Sequence, residues 1–294
     1  MRVGPPTLRV KDLGKELSFY EGKLGLRVRR RFNDESETGN LELIELGFEK
    51  NASDDKLPLL TLKHDPDARD APHDAAGLFH LAILVPDRRS LASTLVALEK
   101  SNLPFDGFAD HLVSESLYLH DPEQNGIEIY RDRPRNEWQH DRKGHVIMDT
   151  LPLDLGSVMK ELTDHERRSA TTFPSLARIG HMHLRVTDLQ RSLTFYQERL
   201  GFKLTADWSA HGADFLAFGD YHHHLGINTW LSLDGKPRLE GEAGLDQLVL
   251  VSSDRSQLEV LATSLGEFVL ERDREEISLA DPDGIPIVIT TSGV

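Results

Sequence analysis

Two histidines and one glutamate stand at matched places in a fourfold repeat, and together they could hold a divalent metal. Asp12, Asp87, Asp188 and Asp254 each follow a short apolar run and open a helix-like stretch. Seven positions before each of them lie Pro5, His80, His181 and Gln247. The glycine before the last apolar run, Gly126 or Gly284, is followed two positions on by Glu128 in the second copy and Pro286 in the fourth. The first and third copies lack that glycine and carry no acidic residue there. Two imidazoles and a carboxylate leave coordination positions open for substrate and dioxygen, which favours non-haem Fe(II), with Mn(II) as a near neighbour. The chain has no cysteine, so thiolate ligands and disulfides are excluded. His183 is the rival to His181, because residues two apart on a strand share a face. Ala82 occupies the position of His183 in the second copy, which favours His181; the choice stays open at this level.

The elements that must position these groups repeat with them. Val10 to Leu26 and Val186 to Phe202 agree at Asp-Leu, a later Leu, Phe-Tyr and Leu-Gly. In the first copy Asp12 is the expected N-cap, and Leu13, Leu17, Tyr20 and Leu24 make an apolar stripe at helical spacing, with Gly25 as C-terminal cap. Strand-like runs follow near Leu26 to Phe32, Leu41 to Phe48 and Leu57 to Lys63, giving the order βαβββ. The expected fold class is α+β, with four such modules; the family resemblance described below implies that they form two cup-shaped half-barrel pairs. The N-terminal pair spans 1–133, with modules at about 5–64 and 78–132; the C-terminal pair spans 178–294, with modules at about 179–231 and 244–291. Asn51 to Lys56 and Asp65 to Ala76 read as loops. Residues 134–177 form a connector in which Asp154 to Leu162 suit a short helix and Thr163 to Ser175 look irregular.

The ligand positions also constrain how modules pair. His80 and Glu128 lie in the second module and His181 in the third, so one complete site needs those two to face each other. The first and fourth, with Pro5, Gln247 and Pro286, would then form a metal-free cup.

Bulk composition removes several classes of partner. A net charge of -15 over 294 residues repels phosphate backbones and anionic lipid, and no basic cluster overrides it. No apolar run approaches the ~20 residues of a membrane span. Neither nucleic acid nor a membrane is expected as a partner, a cytoplasmic location is, and a homo-oligomer is compatible with the sequence.

These features resemble the vicinal oxygen chelate (glyoxalase/bleomycin resistance/extradiol dioxygenase) superfamily, and more closely the four-module bacterial ring-cleavage dioxygenases of the catechol 2,3-dioxygenase type. The resemblance rests on Gly180 to Leu184, on Asp220 to Leu225 with its three histidines followed by Asn228 to Trp230, and on Asp121-Pro122 leading to Gly126 through Asp132. In the commonest family pattern both histidines and the glutamate lie in the C-terminal half, and this chain departs from it.

The resemblance implies an acid/base histidine on the last strand of the module opposite the glutamate, which His223 fits, and a tyrosine ten residues before the glutamate, which is Tyr118. His222 would support them. His111 precedes Tyr118 by one strand, Tyr130 shares the face of Glu128, and Asn228 and His183 complete the candidate substrate-binding set. The implied activity is extradiol cleavage of a small aromatic diol by O2. Two alternatives use the same cup: a glyoxalase-like isomerase or transferase, which usually adds a fourth protein ligand, and an aromatic-ligand-binding resistance protein, which has no need of these groups together.

Overall fold

The structure is a computed structural model that describes residues 1–34, 40–48, 58–170, 176–252, 254–273 and 275–291. The four repeated aspartates do what their spacing predicts. Each caps a helix, its carboxylate accepting a backbone N–H of the first turn: Asp12 from Lys15, Asp87 from Ser90, Asp188 from Arg191 and Asp254 from Ser256. The helices run over Leu13–Tyr20, Arg88–Lys100, Leu189–Glu198 and Arg255–Leu265. A cap of this kind is worth about 1 kcal/mol, so Asp87→Ala should lower stability by roughly that amount in a urea titration. A loss below a few tenths would show that the helix is held by packing alone.

Gly25 does not cap its helix. The helix ends at Tyr20, and Gly25, at φ +74°, makes the later turn into the next strand. The repeated Phe-Tyr pair also has a job that local pattern could not show. The Tyr20 hydroxyl donates to buried Asp121 at 3.0 Å, and the Tyr196 hydroxyl to buried Asp281 at 2.9 Å. The helices Leu13–Tyr20 and Leu189–Glu198 are thereby each tied to the Asp-Pro turn of the module that follows.

The chain divides into two compact units, and among the described residues each is built on β-strands. In the unit of residues 12–64 and 80–179, Arg27–Asp34, Leu41–Gly47 and Leu60–His64 make an antiparallel ladder. There too Gly107–Asp110, Ser114–His120 and Gly126–Asp132 pair antiparallel, with the strand of His80, Gly77–Leu84, parallel to the last of them. In the unit of residues 1–11, 65–79 and 180–294, Arg178–Arg185 runs parallel to Leu225–Asn228, which continues into Ala213–Ala217 and Lys203–Trp208. Gly244–Ser252 lies parallel to Pro286–Thr291 and antiparallel to Thr7–Val10, so first strands of the first and fourth modules are direct neighbours.

The connector holds more structure than its composition suggests. Within the stretch Asp154 to Leu162 that suited a short helix, Leu155–Met159 is helical and capped by Asp154, but Asp164–Ser169 is helical where an irregular stretch was expected. Thr163 and Glu166 bond reciprocally as a capping box there, a signal present in the sequence and outweighed by the polar composition. Asn51 to Lys56 and Thr171 to Ser175 lie outside the described residues.

One buried acid is unlike its repeat partner. Glu16 is fully buried beside Asp121 and Glu123, whereas its counterpart Ser192 packs by Asp283, which Thr187 and Arg191 hold with N–H and O–H donors. Burial first, then the charges of Asp121 and Glu123, pushes the Glu16 carboxyl up to about 9. The folded chain therefore keeps a proton that the unfolded chain releases above the ordinary value of 4.5, and stability falls as pH rises from there towards about 9. Glu16→Gln removes that dependence and should be more stable than wild type at pH 7 by roughly 1 to 3 kcal/mol. Melting temperatures at pH 5, 7 and 9 that move in parallel for the two proteins would show that Glu16 does not titrate in this way.

Candidate metal centre

His80 and Glu128 are brought together by strand register. Ala82 lies opposite Glu128 on the parallel neighbour, which leaves the imidazole one pleat away on the same face. His80 Nε2 is 2.9 Å from Glu128 Oε2, and both side chains are buried. The Ser116 hydroxyl donates to Glu128 Oε1 at 2.6 Å, so one carboxylate oxygen is held while the other faces the imidazole.

Tyr118 sits directly across from Glu128 in the antiparallel ladder. Its hydroxyl is 2.7 Å from His111 Nε2, and His111 Nδ1 is 2.8 Å from the Asp149 carbonyl oxygen. A carbonyl can only accept, so His111 carries its proton on Nδ1 and the Tyr118 hydroxyl donates to Nε2. Burial, then the Glu128 carboxylate, raises the phenol well above its usual range. It stays protonated at neutral pH. Tyr130 is fully buried against Ala82 and Leu84, further along the face of Glu128.

In the other unit His181 is buried, with its ring centroid 4.1 Å from that of His223 and 6.3 Å from that of His222. His183 has a different environment. Its ring packs edge-on to Phe79 and Phe215 and tilts against Trp230, and it lies over Gly226, where an added Cβ would come within 2.9 Å of it. Asn228 is fully buried and accepts the backbone N–H of Trp230 at 3.2 Å. Trp230 is about half exposed, its indole N–H donating to the His211 carbonyl at 2.8 Å.

His222 and His223 lie in the bend before the strand Leu225–Asn228, not on that strand as the resemblance implies. Regular pairing starts only at His224, whose N–H donates to Leu216 and whose carbonyl accepts from Met182. Upstream of it the Thr205 hydroxyl holds the His222 carbonyl at 2.5 Å.

His80, Glu128 and His181, all buried, each offer a ligand atom, and these atoms lie within 4.8 Å of one another. His183 does not belong to this group. Ligand bonds of about 2.1 Å meeting at a right angle place two donor atoms about 3 Å apart, which the His80–Glu128 separation matches. Two imidazoles and a carboxylate, with no thiolate, suit a first-row divalent ion, and the residues fit such a group.

Ser116 and the Asp149 carbonyl were not foreseen from the sequence. Ser116 could have been, since it lies two residues before Tyr118 and so shares its face. A backbone carbonyl leaves no mark in residue type.

Comparison with known proteins bears on the family and the fold. The family model described as Glyoxalase/Bleomycin resistance protein/Dioxygenase superfamily matches residues 2–129 and 178–289. A catechol-2,3-dioxygenase of Bacillus subtilis (strain 168) is 33% identical over 283 residues, covering 95% of this chain and 93% of that one. A crystal structure from Bacillus subtilis subsp. subtilis str. 168 aligns over 100% of this chain and 86% of its own, with a TM-score of 0.68 at 16% identity. Glyoxalase I from Zea mays aligns over 99% and 92%, with a TM-score of 0.59 at 17% identity. Both structural matches bear on the fold. The repeat, the paired ligands and the match of the family model over both halves place this chain in the glyoxalase/bleomycin resistance protein/dioxygenase superfamily.

Proposed function

We propose that this chain is an extradiol ring-cleavage dioxygenase acting on catechol or a substituted catechol, with a non-haem metal held by His80, Glu128 and His181. The observation that carries the reading is the convergence of those three buried ligand atoms. The 33% identical catechol-2,3-dioxygenase supports the reaction class. Fe(II) is the metal this donor set suits best, with Mn(II) next. Module pairing follows from the ligands: the second and third modules face each other across the metal, and the first and fourth form a metal-free cup. The ladder between Thr7–Val10 and Gly244–Ser252 supports the latter.

When bound, the metal would supply open positions at which a diol and O2 meet and a path for electrons from the diol to O2. The protein's own groups do the rest. Tyr118 keeps its proton, which is directed at His111, and places its phenol oxygen across the ladder from Glu128, where it can accept a hydrogen bond from a substrate hydroxyl. His223 supplies an imidazole that can give or take a proton next to His181. Phe79, Phe215 and the ring of His183 pack together as an apolar wall, and Asn228, His183, His111 and Tyr130 are the groups we assign to substrate binding.

The isomerase alternative usually adds a fourth protein ligand, and among the described residues the group has three, which favours the dioxygenase reading. The test is anaerobic loading with Fe(II) or Mn(II), followed by catechol and air. A yellow ring-fission product with matching O2 uptake is expected. No uptake with any catechol or hydroquinone would transfer the reading to an isomerase or an aromatic-ligand-binding protein.

A further inference from the structure

Three consecutive histidines usually read as a solvated run, and here two of them are sealed inside the fold. His222 is fully buried and His223 nearly so. His224 is accounted for by its surroundings: its Nδ1 accepts the Phe218 backbone N–H at 3.2 Å, and its own backbone begins the strand pairing. His222 and His223 bond to each other, with Nδ1 to Nδ1 at 2.7 Å.

A bond between two like ring nitrogens constrains both rings. One Nδ1 must carry the proton and the other must accept it. His223 thereby commits its Nδ1 to its neighbour, and any hydrogen bond it makes towards a substrate runs through Nε2. His222 is itself fixed on two sides, by the Thr205 hydroxyl on its carbonyl and by the Tyr221 ring at 4.2 Å between centroids. The anchor is rigid and the group it holds lies against His181.

We infer that His222 is a positioning residue that fixes the ring orientation and tautomer of His223, so that Nε2 is the nitrogen turned to the reaction. This rests on the proposal that His223 takes part in ring cleavage, although the bond itself stands without it. An imidazole free to flip would present the wrong nitrogen for part of each turnover. The neighbouring histidine removes that freedom before substrate arrives, as other hydrogen-bonded supports fix histidines at metal sites.

Two substitutions separate this role from simple packing. An asparagine amide can place a donor or acceptor where Nδ1 stood, and leucine fills similar space with neither. In the full chain, His222→Leu should lower kcat by roughly 10- to 100-fold with KM for catechol within about twofold and metal content unchanged, and His222→Asn should recover most of the loss. Nitrogen-15 NMR of the zinc-loaded protein gives a second readout that needs no activity. Wild type should show one protonated and one accepting Nδ1 in the pair; the signature of His223 should persist in His222→Asn and vanish in His222→Leu.

Equal loss in both variants, or a His223 spectrum indifferent to either, would overturn the inference. If the leucine variant does not fold, the wild-type spectrum still decides, since two Nδ1 atoms without a shared proton would refute the pairing. An intact NMR signature in a protein that cleaves no diol would overturn the assignment of function and leave the bond standing.

Discussion

Glu128→Ala should abolish stoichiometric metal binding and with it ring cleavage, while the chain stays folded. Loss of a hydrogen-bonding support around a metal ligand typically costs 10- to 100-fold in affinity or activity. Ser116, which donates to Glu128 Oε1, belongs to that class, so Ser116→Ala should fall in the same range. The ligand itself must exceed it: a loss of roughly 1,000-fold or more is expected for Glu128→Ala. Metal analysis after dialysis and circular dichroism on the same samples read the two halves of this expectation. A fully metal-loaded Glu128→Ala protein would remove Glu128 from the ligand set.

The second large effect separates chemistry from metal binding. His223 is not among the grouped ligand atoms, yet its ring lies 4.1 Å from that of His181. His223→Ala should therefore retain metal and lose turnover by roughly 100-fold or more, the usual size of a general acid or base contribution. Steady-state kinetics with metal content measured in parallel would show it. Unchanged turnover would move the proton-transferring role to His222 or His111.

The contrast between legible and hidden features follows range. Asp12, Asp87, Asp188 and Asp254 could be read because a cap is made with a residue two or three positions on. His80 and His181 could be matched to each other because those caps supplied a ruler. The purpose of the Phe-Tyr pair could not, since the acceptor for Tyr20 lies 101 positions away. The bend that carries His222 and His223 was hidden for a related reason. It depends on the Thr205 hydroxyl, 17 positions upstream, and histidine content alone suggests either a strand or a solvated run. Nothing near Glu16 in the sequence marks it, since only the turn holding Asp121 and Glu123 makes it a buried acid.

The ladder between Thr7–Val10 and Gly244–Ser252 has a consequence for biosynthesis. Arg9 makes its ion pair with Asp246 across 237 positions of chain. At the ribosome's pace of about 5 to 20 residues per second, the opening strand waits roughly 10 to 50 seconds for its partner to be made. During that interval it is an unpaired edge with an apolar face, open to nascent-chain chaperones and to neighbouring polysomal chains alike.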